Sequence, residues 1–340
     1  MKHLQKLFFT LCLGFFIHFS VQAQNNNQAT DLVKQGELLH SQGKYEESIA
    51  KFNEALKIEP DNAAANYGLA FTLYSAKRAT EGIPYLEKVV KSPHPGLVVG
   101  AYSLMGIIYD GNNQSPKAIE AFNQAIKLAP NYPGIYYSLG LAYSRSQQYA
   151  EAEASAVEAI KHEPKNASCH RLYALACFHQ NKRANALLGF CSFILLEPAT
   201  PRAAEAYGNI QHILQGGVLK DNNGNMSKET PEITQMNAGI TNVVAEAKKK
   251  KLTGMDLLQN ELTGIFTFAG KLAEKNTDKT FFAPYLADYF YKLAQSDNMP
   301  AFTRTLSSSA NMDENSKWLK DNPQKAAALN EWVGKTERGF

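Results

Sequence analysis

Residues 106–130 read GIIYDGNNQSPKAIEAFNQAIKLAP, and the spacing inside that stretch decides the fold. Its skeleton is Gly106, Tyr109, Ala118, Phe122, Ala125 and Pro130. The skeleton returns 34 residues later as Gly140, Tyr143, Ala152, Ala156, Ala159 and Pro164. Upstream it stands as Gly36, Gly43-Lys44-Tyr45, Ser48, Phe52, Ala55 and Pro60. Two weaker copies run Ala70, Leu73, Gly82, Leu86, Val89 and Ala174, Cys177, Ala186, Phe190, Phe193, Pro198. Starts at 36 and 70, and at 106, 140 and 174, keep the 34-residue step, and two extra residues enter at the turn His94-Pro95-Gly96-Leu97. A fixed period of this size marks a stacked repeat, because one such unit cannot bury its apolar face alone.

The period and the small/aromatic/proline skeleton resemble the tetratricopeptide repeat (TPR) over residues 29–200, half the chain. The resemblance implies an all-α fold, a TPR-type α-α superhelix (solenoid) of five repeats followed by a smaller α-helical domain. Each repeat is expected to be two antiparallel helices, A and B. Small residues such as Gly106, Ala118 and Ala125, or Gly140, Ala152 and Ala159, then stand where backbones come closest, and Tyr109 and Phe122 fill the seam to a neighbour. Pro60, Pro130, Pro164 and Pro198 end helix B, since proline cannot continue a helix. Ser115-Pro116 reads as an N-cap followed by proline in the first turn. Val89 and Phe193 replace expected small residues, so repeats two and five are expected to pack less closely. Pro201–Gln215 begins like a sixth A helix with no clear B helix behind it, and reads as a cap that closes the array at 215.

In this family helix A lines the concave face. The corresponding positions here hold Tyr67, Phe71 and Tyr74, then Ser103 and Ile107, Tyr137 and Leu141, and Arg171 and Phe178. Val33, Glu37 and His40 precede them, and Glu205 and His212 follow on the cap. Tyr67, Tyr74 and Tyr137 are the expected exposed members, while Phe71, Ile107, Leu141 and Leu175 are shared between groove and inter-repeat packing. The family's chaperone-binding form clamps a terminal carboxylate with Lys and Asn. Val33, Glu37 and Gly68 occupy the places that would begin such a clamp, which disfavours capture of an acidic peptide tail.

From Gly216 the pattern changes. Gly216-Gly217 and the polar stretch 221–230 read as a linker, 216–230. Thr230-Pro231 opens an amphipathic helix carrying Ile233, Ile240, Val243 and Val244. Leu257, Leu258, Leu262, Ile265, Phe266, Ala269 and Leu272 mark a second helix by their spacing of threes and fours. Phe281–Ala294 carries an aromatic third, and three short helices follow, including the Trp318 and Trp332 segments. Residues 231–340 thus form a helical C-terminal domain, similar to uncharacterised domains that follow such repeats in exported bacterial proteins.

Lys2 and Lys6, the apolar stretch from Leu7 to Phe19 and Val21-Gln22-Ala23 read as a secretory signal peptide, 1–23, cleaved before Gln24. Leu11 precedes Cys12 where a lipoprotein signal needs a small residue, so lipidation is not expected. The expected compartment is periplasmic or secreted. No later run is long and apolar enough for a membrane span. The formal charge of +3, from 35 basic and 32 acidic residues, is too near neutral for a nucleic-acid protein. Lys248–Lys251 reads as a solvated helix end.

Chemistry finds little support. The sequence carries no HExxH, no GxSxG, no P-loop and no glycine fingerprint after a strand. Cys169, Cys177 and Cys191 with His170 and His179 read as packing residues rather than a disulfide framework or zinc site. Asp221, Asn223, Asn225, Glu229 and Glu232 have the spacing of a calcium loop, but Met226 replaces its turn glycine, and a polar linker explains the same residues. No cofactor is expected. The leading expectation is a non-catalytic scaffold binding a protein or peptide partner. The alternatives are an enzyme or small-ligand-binding domain at 217–340 with the repeats as a targeting arm, and a groove filled by the chain's own C-terminal domain.

Overall fold

The computed structural model describes residues 27–217, 229–275, 280–310 and 312–340. The expected signal peptide and the first three ligand positions of the calcium-like loop lie outside the described residues. Among the described residues every regular element is a helix. The chain divides into two compact units, one through Ile135 and one from Tyr136.

The first unit holds α1 (27–41), α2 (Tyr45–Ile58), α3 (Ala63–Ser75), a 3-10 turn (Ala79–Gly82) leading into α4 (Ile83–Val89), α5 (Pro95–Gly111) and α6 (Ser115–Leu128). These are the A and B helices of three repeats. α5 starts within the insertion at His94–Leu97 and runs 17 residues, against 13 in α3. Pro84 sits in the first turn of α4, where its missing N–H was unpaired in any case. Gln114, not Ser115, flanks the start of α6; Ser115 is the first helical residue and its side chain caps nothing.

Glycine makes the A and B helices approach. A methyl group at Gly106 would lie 2.5 Å from the Phe122 ring, and one at Gly68 would lie 2.5 Å from Phe52. Both rings are almost wholly buried. The first unit carries two separate small cores, one around Phe52, Leu69 and Leu73 and one around Leu86, Ala101 and Leu104.

α7 (Pro133–Arg145) carries the boundary between units. The second unit continues with α8 (Tyr149–His162), α9 (Ala167–His179), α10 (Arg183–Leu196), α11 (Pro201–Leu214), α12 (Pro231–Lys249) and α13 (Gly254–Lys275). A π-helical turn (Phe282–Ala287), α14 (Asp288–Ala294), α15 (Met299–Leu306), α16 (Met312–Asp321) and α17 (Pro323–Lys335) complete it. One core runs from Ala156 to Leu329 and includes Phe190, Phe193, Phe266, Phe290 and Phe302. Its axis is α10, whose residues from Ala186 to Ser192 are all buried. A helix apolar on every side must be surrounded. α10 packs against α9, α11, α12, α15 and the π-helical turn. The change of sequence pattern at 216–230 is therefore not a change of core.

Repeat five does not loosen as expected from Phe193. Gly189 supplies the close approach instead: a methyl there would lie 2.9 Å from Ala174 Cβ. The same device joins α12 to α13, where a methyl at Gly239 would fall 1.9 Å from Phe268, and α13 to α14, where one at Gly270 would fall 2.4 Å from Tyr291.

Two local devices repeat with the period. Every A helix ends on a left-handed residue, at Gly43 (φ 73°), Lys77 (61°), Asn113 (57°), Gln147 (58°) and Asn181 (57°). The next residue's N–H closes a six-residue loop onto the helix, as in Lys44 N to Leu39 O at 3.0 Å and Lys182 N to Cys177 O at 3.0 Å. This is the Schellman cap. The turns out of α2, α8 and α10 use Glu-Pro-x-cap. Asn62 Oδ1 accepts from Ala65 N at 2.9 Å, and Asn62 Nδ2 donates to Glu59 at 2.7 Å. Asn166 with Glu163 does the same, and Thr200 with Glu197 forms the version before α11.

Candidate interaction surface

The A helices of the first unit, with Tyr45 at the start of α2, present a line of aromatic rings. Tyr45 lies 5.5 Å from His40, His40 4.9 Å from Phe71, and Phe71 6.3 Å from Tyr67, near parallel. Local chemistry fixes the line in place. Thr72 Oγ1 donates to Gly68 O at 2.7 Å, so its only hydroxyl hydrogen is committed. The 3.0 Å bond between His40 and Thr72 must therefore run from His40 Nδ1–H to Thr72 Oγ1, which leaves Nε2 as the ring's acceptor.

Exposure along this line departs from the expected order. Phe71, Tyr74 and Ile107 are the open members, at 40%, 39% and 38%. Ile107 stands in repeat three where Phe71 stands in repeat two. Tyr67 is half-buried, because its hydroxyl packs onto α5 at Gly100, where a methyl would lie 3.0 Å away. That burial, with Tyr132 adding to it, raises the Tyr67 phenol above its usual range. Ser103 is half-buried and turned back on its own helix, its Oγ donating to Val99 O at 2.9 Å. Val33, placed by the repeat pattern at the end of the face, is 6% exposed and belongs to the core. The inter-repeat residue Tyr132, 57% exposed, is an open aromatic outside the A-helix positions and so outside the pattern searched in the sequence.

The remaining expected groove residues lie in the second unit and are engaged. Tyr137 and Leu141 are half-buried against its core. Arg171 pairs with Glu205 at 2.6 Å. Phe178 is a correction: only 9% exposed, it sits edge-on to Phe190 and His212, because α9 packs that face onto α10 and α11. His179, beside it, stacks on Tyr149 at 4.4 Å.

Cys169, Cys177 and Cys191 are free and buried, and burial drives their thiols upward, Cys169 to about 12. Thiols so protonated are poor nucleophiles and poor metal ligands. Among the described residues no group of three or more His, Cys, Asp or Glu is placed to hold a metal. No helix among them is long and apolar enough to cross a membrane. Of the calcium-like loop, Glu229 is described, and it faces protein: Asn181 and Asn237 both donate to its Oε1. Asn237 also donates to Asn181 O, and Arg183 donates to Asn237 O, Thr241 Oγ1 and Ile213 O. This buried network clasps α12 to α10, and nothing in the hydropathy pattern announces it.

These observations define a class first: an all-α protein whose first half is built from TPR-type helix pairs. Comparison then gives the family of those pairs. The TPR repeat model matches residues 36–76 and 106–147, and a second tetratricopeptide repeat model matches 137–204. These segments are TPR repeats. A TPR repeat-containing protein of Methanocaldococcus jannaschii is 22% identical over 177 residues, 49% of this chain and 31% of that protein. The chain thus spans about a third of the length of that curated relative. Among solved structures, YrrB, described as a TPR protein with an unusual peptide-binding site, aligns at 18% identity and TM-score 0.46, covering 53% of this chain and 91% of its own. MamA aligns at 23% identity and TM-score 0.46, covering 51% and 93%. A MamA fragment of Desulfovibrio magneticus RS-1 aligns at 28% and TM-score 0.38, covering 41% and 78%.

Proposed function

We propose that this protein is an exported, non-catalytic TPR scaffold that binds a polypeptide partner on the A-helix face of its first unit. The observation that carries the reading is the exposure of Phe71, Tyr74 and Ile107 on α3 and α5, which pack together. Large apolar side chains at equivalent positions of successive repeats favour a segment presenting apolar groups at regular spacing, laid in extended or helical form. Tyr67 and His40 add one hydroxyl and one ring nitrogen for orientation. The charges at the groove positions of this unit, Glu37 and Asp110, are acidic, so a partner ending in a carboxylate gains nothing here. Export rests on residues 1–23 and predicts a mature chain beginning at Gln24.

The test is a triple substitution, Phe71→Ala, Tyr74→Ala and Ile107→Ala, in the exported protein. Captured partners in crosslinked envelope extracts should be lost while helical content stays unchanged. Capture at wild-type level would overturn the assignment of the face. N-terminal sequencing of the mature protein tests export separately, and a start at Met1 would overturn it.

A further inference from the structure

Residues 336–340, after α17, form no helix, yet they place a cation in an aromatic enclosure. The guanidinium carbon of Arg338 lies 3.9 Å from the ring centre of Tyr289, 5.1 Å from Tyr285 and 5.6 Å from Phe290. Its Nη1 donates to Ser192 Oγ at 2.7 Å, and Ser192 is wholly buried on α10. Among the described residues Arg338 forms no ion pair with a carboxylate. Its charge is met by ring faces and by the hydroxyls of Ser192 and Tyr289.

The walls are built without the occupant. Phe290 packs 4.8 Å from Phe266 and 6.0 Å from Phe302. Tyr285 stacks 4.6 Å from Phe281, and its hydroxyl donates to Pro164 O at 3.5 Å. Tyr289 leans on Trp332 at 4.8 Å. All three wall residues are at most 1% exposed. The occupant's own segment lies at the surface: Glu337, Gly339 and Phe340 are exposed, and Phe340, 4.7 Å from Tyr285 between ring centres, is 64% exposed. A buried cage and a cation carried on a surface segment are the parts of a receptor and an exchangeable plug.

We propose that Tyr285, Tyr289, Phe290 and Ser192 form a receptor for an arginine side chain, with Arg338 as its resident occupant and an arginine of a partner polypeptide as the ligand that replaces it. The chemistry selects guanidinium. A planar, weakly hydrated cation stacks on a ring face and still has in-plane N–H groups for the serine, whereas an ammonium keeps its water. The neighbouring His170 adds no competing charge. It is 1% exposed, its Nδ1 is unpaired, and burial with Arg338 nearby pushes its pKa down to about 4.

The test titrates the full chain with N-acetyl-arginine amide, read by the ring-current shift of the probe and by Trp332 fluorescence. Arg338→Ala should bind the probe saturably, and wild type at least tenfold more weakly because its cage is filled. Adding Tyr289→Leu to Arg338→Ala should remove binding, and N-acetyl-citrulline amide, of the same shape without charge, should not bind. No saturable binding to Arg338→Ala, or equal binding of the citrulline probe, would overturn the receptor and leave Arg338 a packing contact. Arg338→Gln keeps a polar but shorter, uncharged side chain, and carries the same titration should the alanine variant not fold.

Discussion

The two units use one repeat in opposite ways. In the first, three helix pairs keep small separate cores and leave Phe71, Tyr74 and Ile107 open on their A helices. In the second, the corresponding face is covered or paired, with Phe178 inside and Arg171 bound to Glu205, and one core reaches from α8 to α17. Stacked repeats are stabilised by nearest-neighbour contacts, so a unit built of helix pairs alone, with no added helices, keeps a surface to spare. A unit that gathers added helices around one B helix gives that surface up. Binding is therefore expected in the first unit and structural integrity in the second.

The strongest way to break this contrast is to empty each core. Phe290→Ala removes a wholly buried ring from the common core and should cost about 3–5 kcal/mol. Hydrogen exchange should then rise throughout α8–α17. Phe52→Ala should cost a similar amount yet raise exchange only in α1–α3. Uniform loss across both units in either variant would refute two independent units.

Acid should act on the second unit. His170, held neutral by burial, titrates at about 4 in the folded chain against 6.5 unfolded. The unfolded chain takes up the proton first, so stability is full above pH 6.5 and falls as pH drops from 6.5 towards 4. His170→Gln should flatten that dependence in a series of denaturant melts. Asn237→Ala strands the Arg183 backbone N–H and takes a donor from Asn181 O and Glu229, and should cost about 2 kcal/mol, loosening α12 from α10. Smaller still, Asn62→Ala and Asn166→Ala each remove one cap at about 1 kcal/mol. Gln147→Gly relieves a left-handed residue and should raise stability by up to about 1 kcal/mol.

The helix pairs were legible because a 34-residue period is imposed by stacking and survives substitution at single positions. Helices α12 to α17 were legible for the same kind of reason, their apolar spacing showing in Leu258, Leu262, Ile265 and Ala269. The turn geometry was not. Of the five left-handed turn residues only Gly43 is glycine, and Lys77 or Gln147 carries no such mark. Partition of the core was equally hidden, because periodicity reports which face is apolar but not what covers it. Phe71 and Tyr67 illustrate the limit. The repeat pattern puts both on the binding face, yet Tyr67 is half-buried because it packs on Gly100 one repeat further on, while Phe71 stays open. The cage around Arg338 joins residues 146 apart in sequence, Ser192 and Arg338, and has no pattern to find.

Site-specific photocrosslinking from position 71 in the native cell, compared with position 175, tests the division most directly. The expected result is a crosslink from 71 to a distinct polypeptide, abolished by Tyr74→Ala with Ile107→Ala, and none from 175. Crosslinks from 71 only to residues 231–340 of the same chain, or equal crosslinking from both positions, would contradict it.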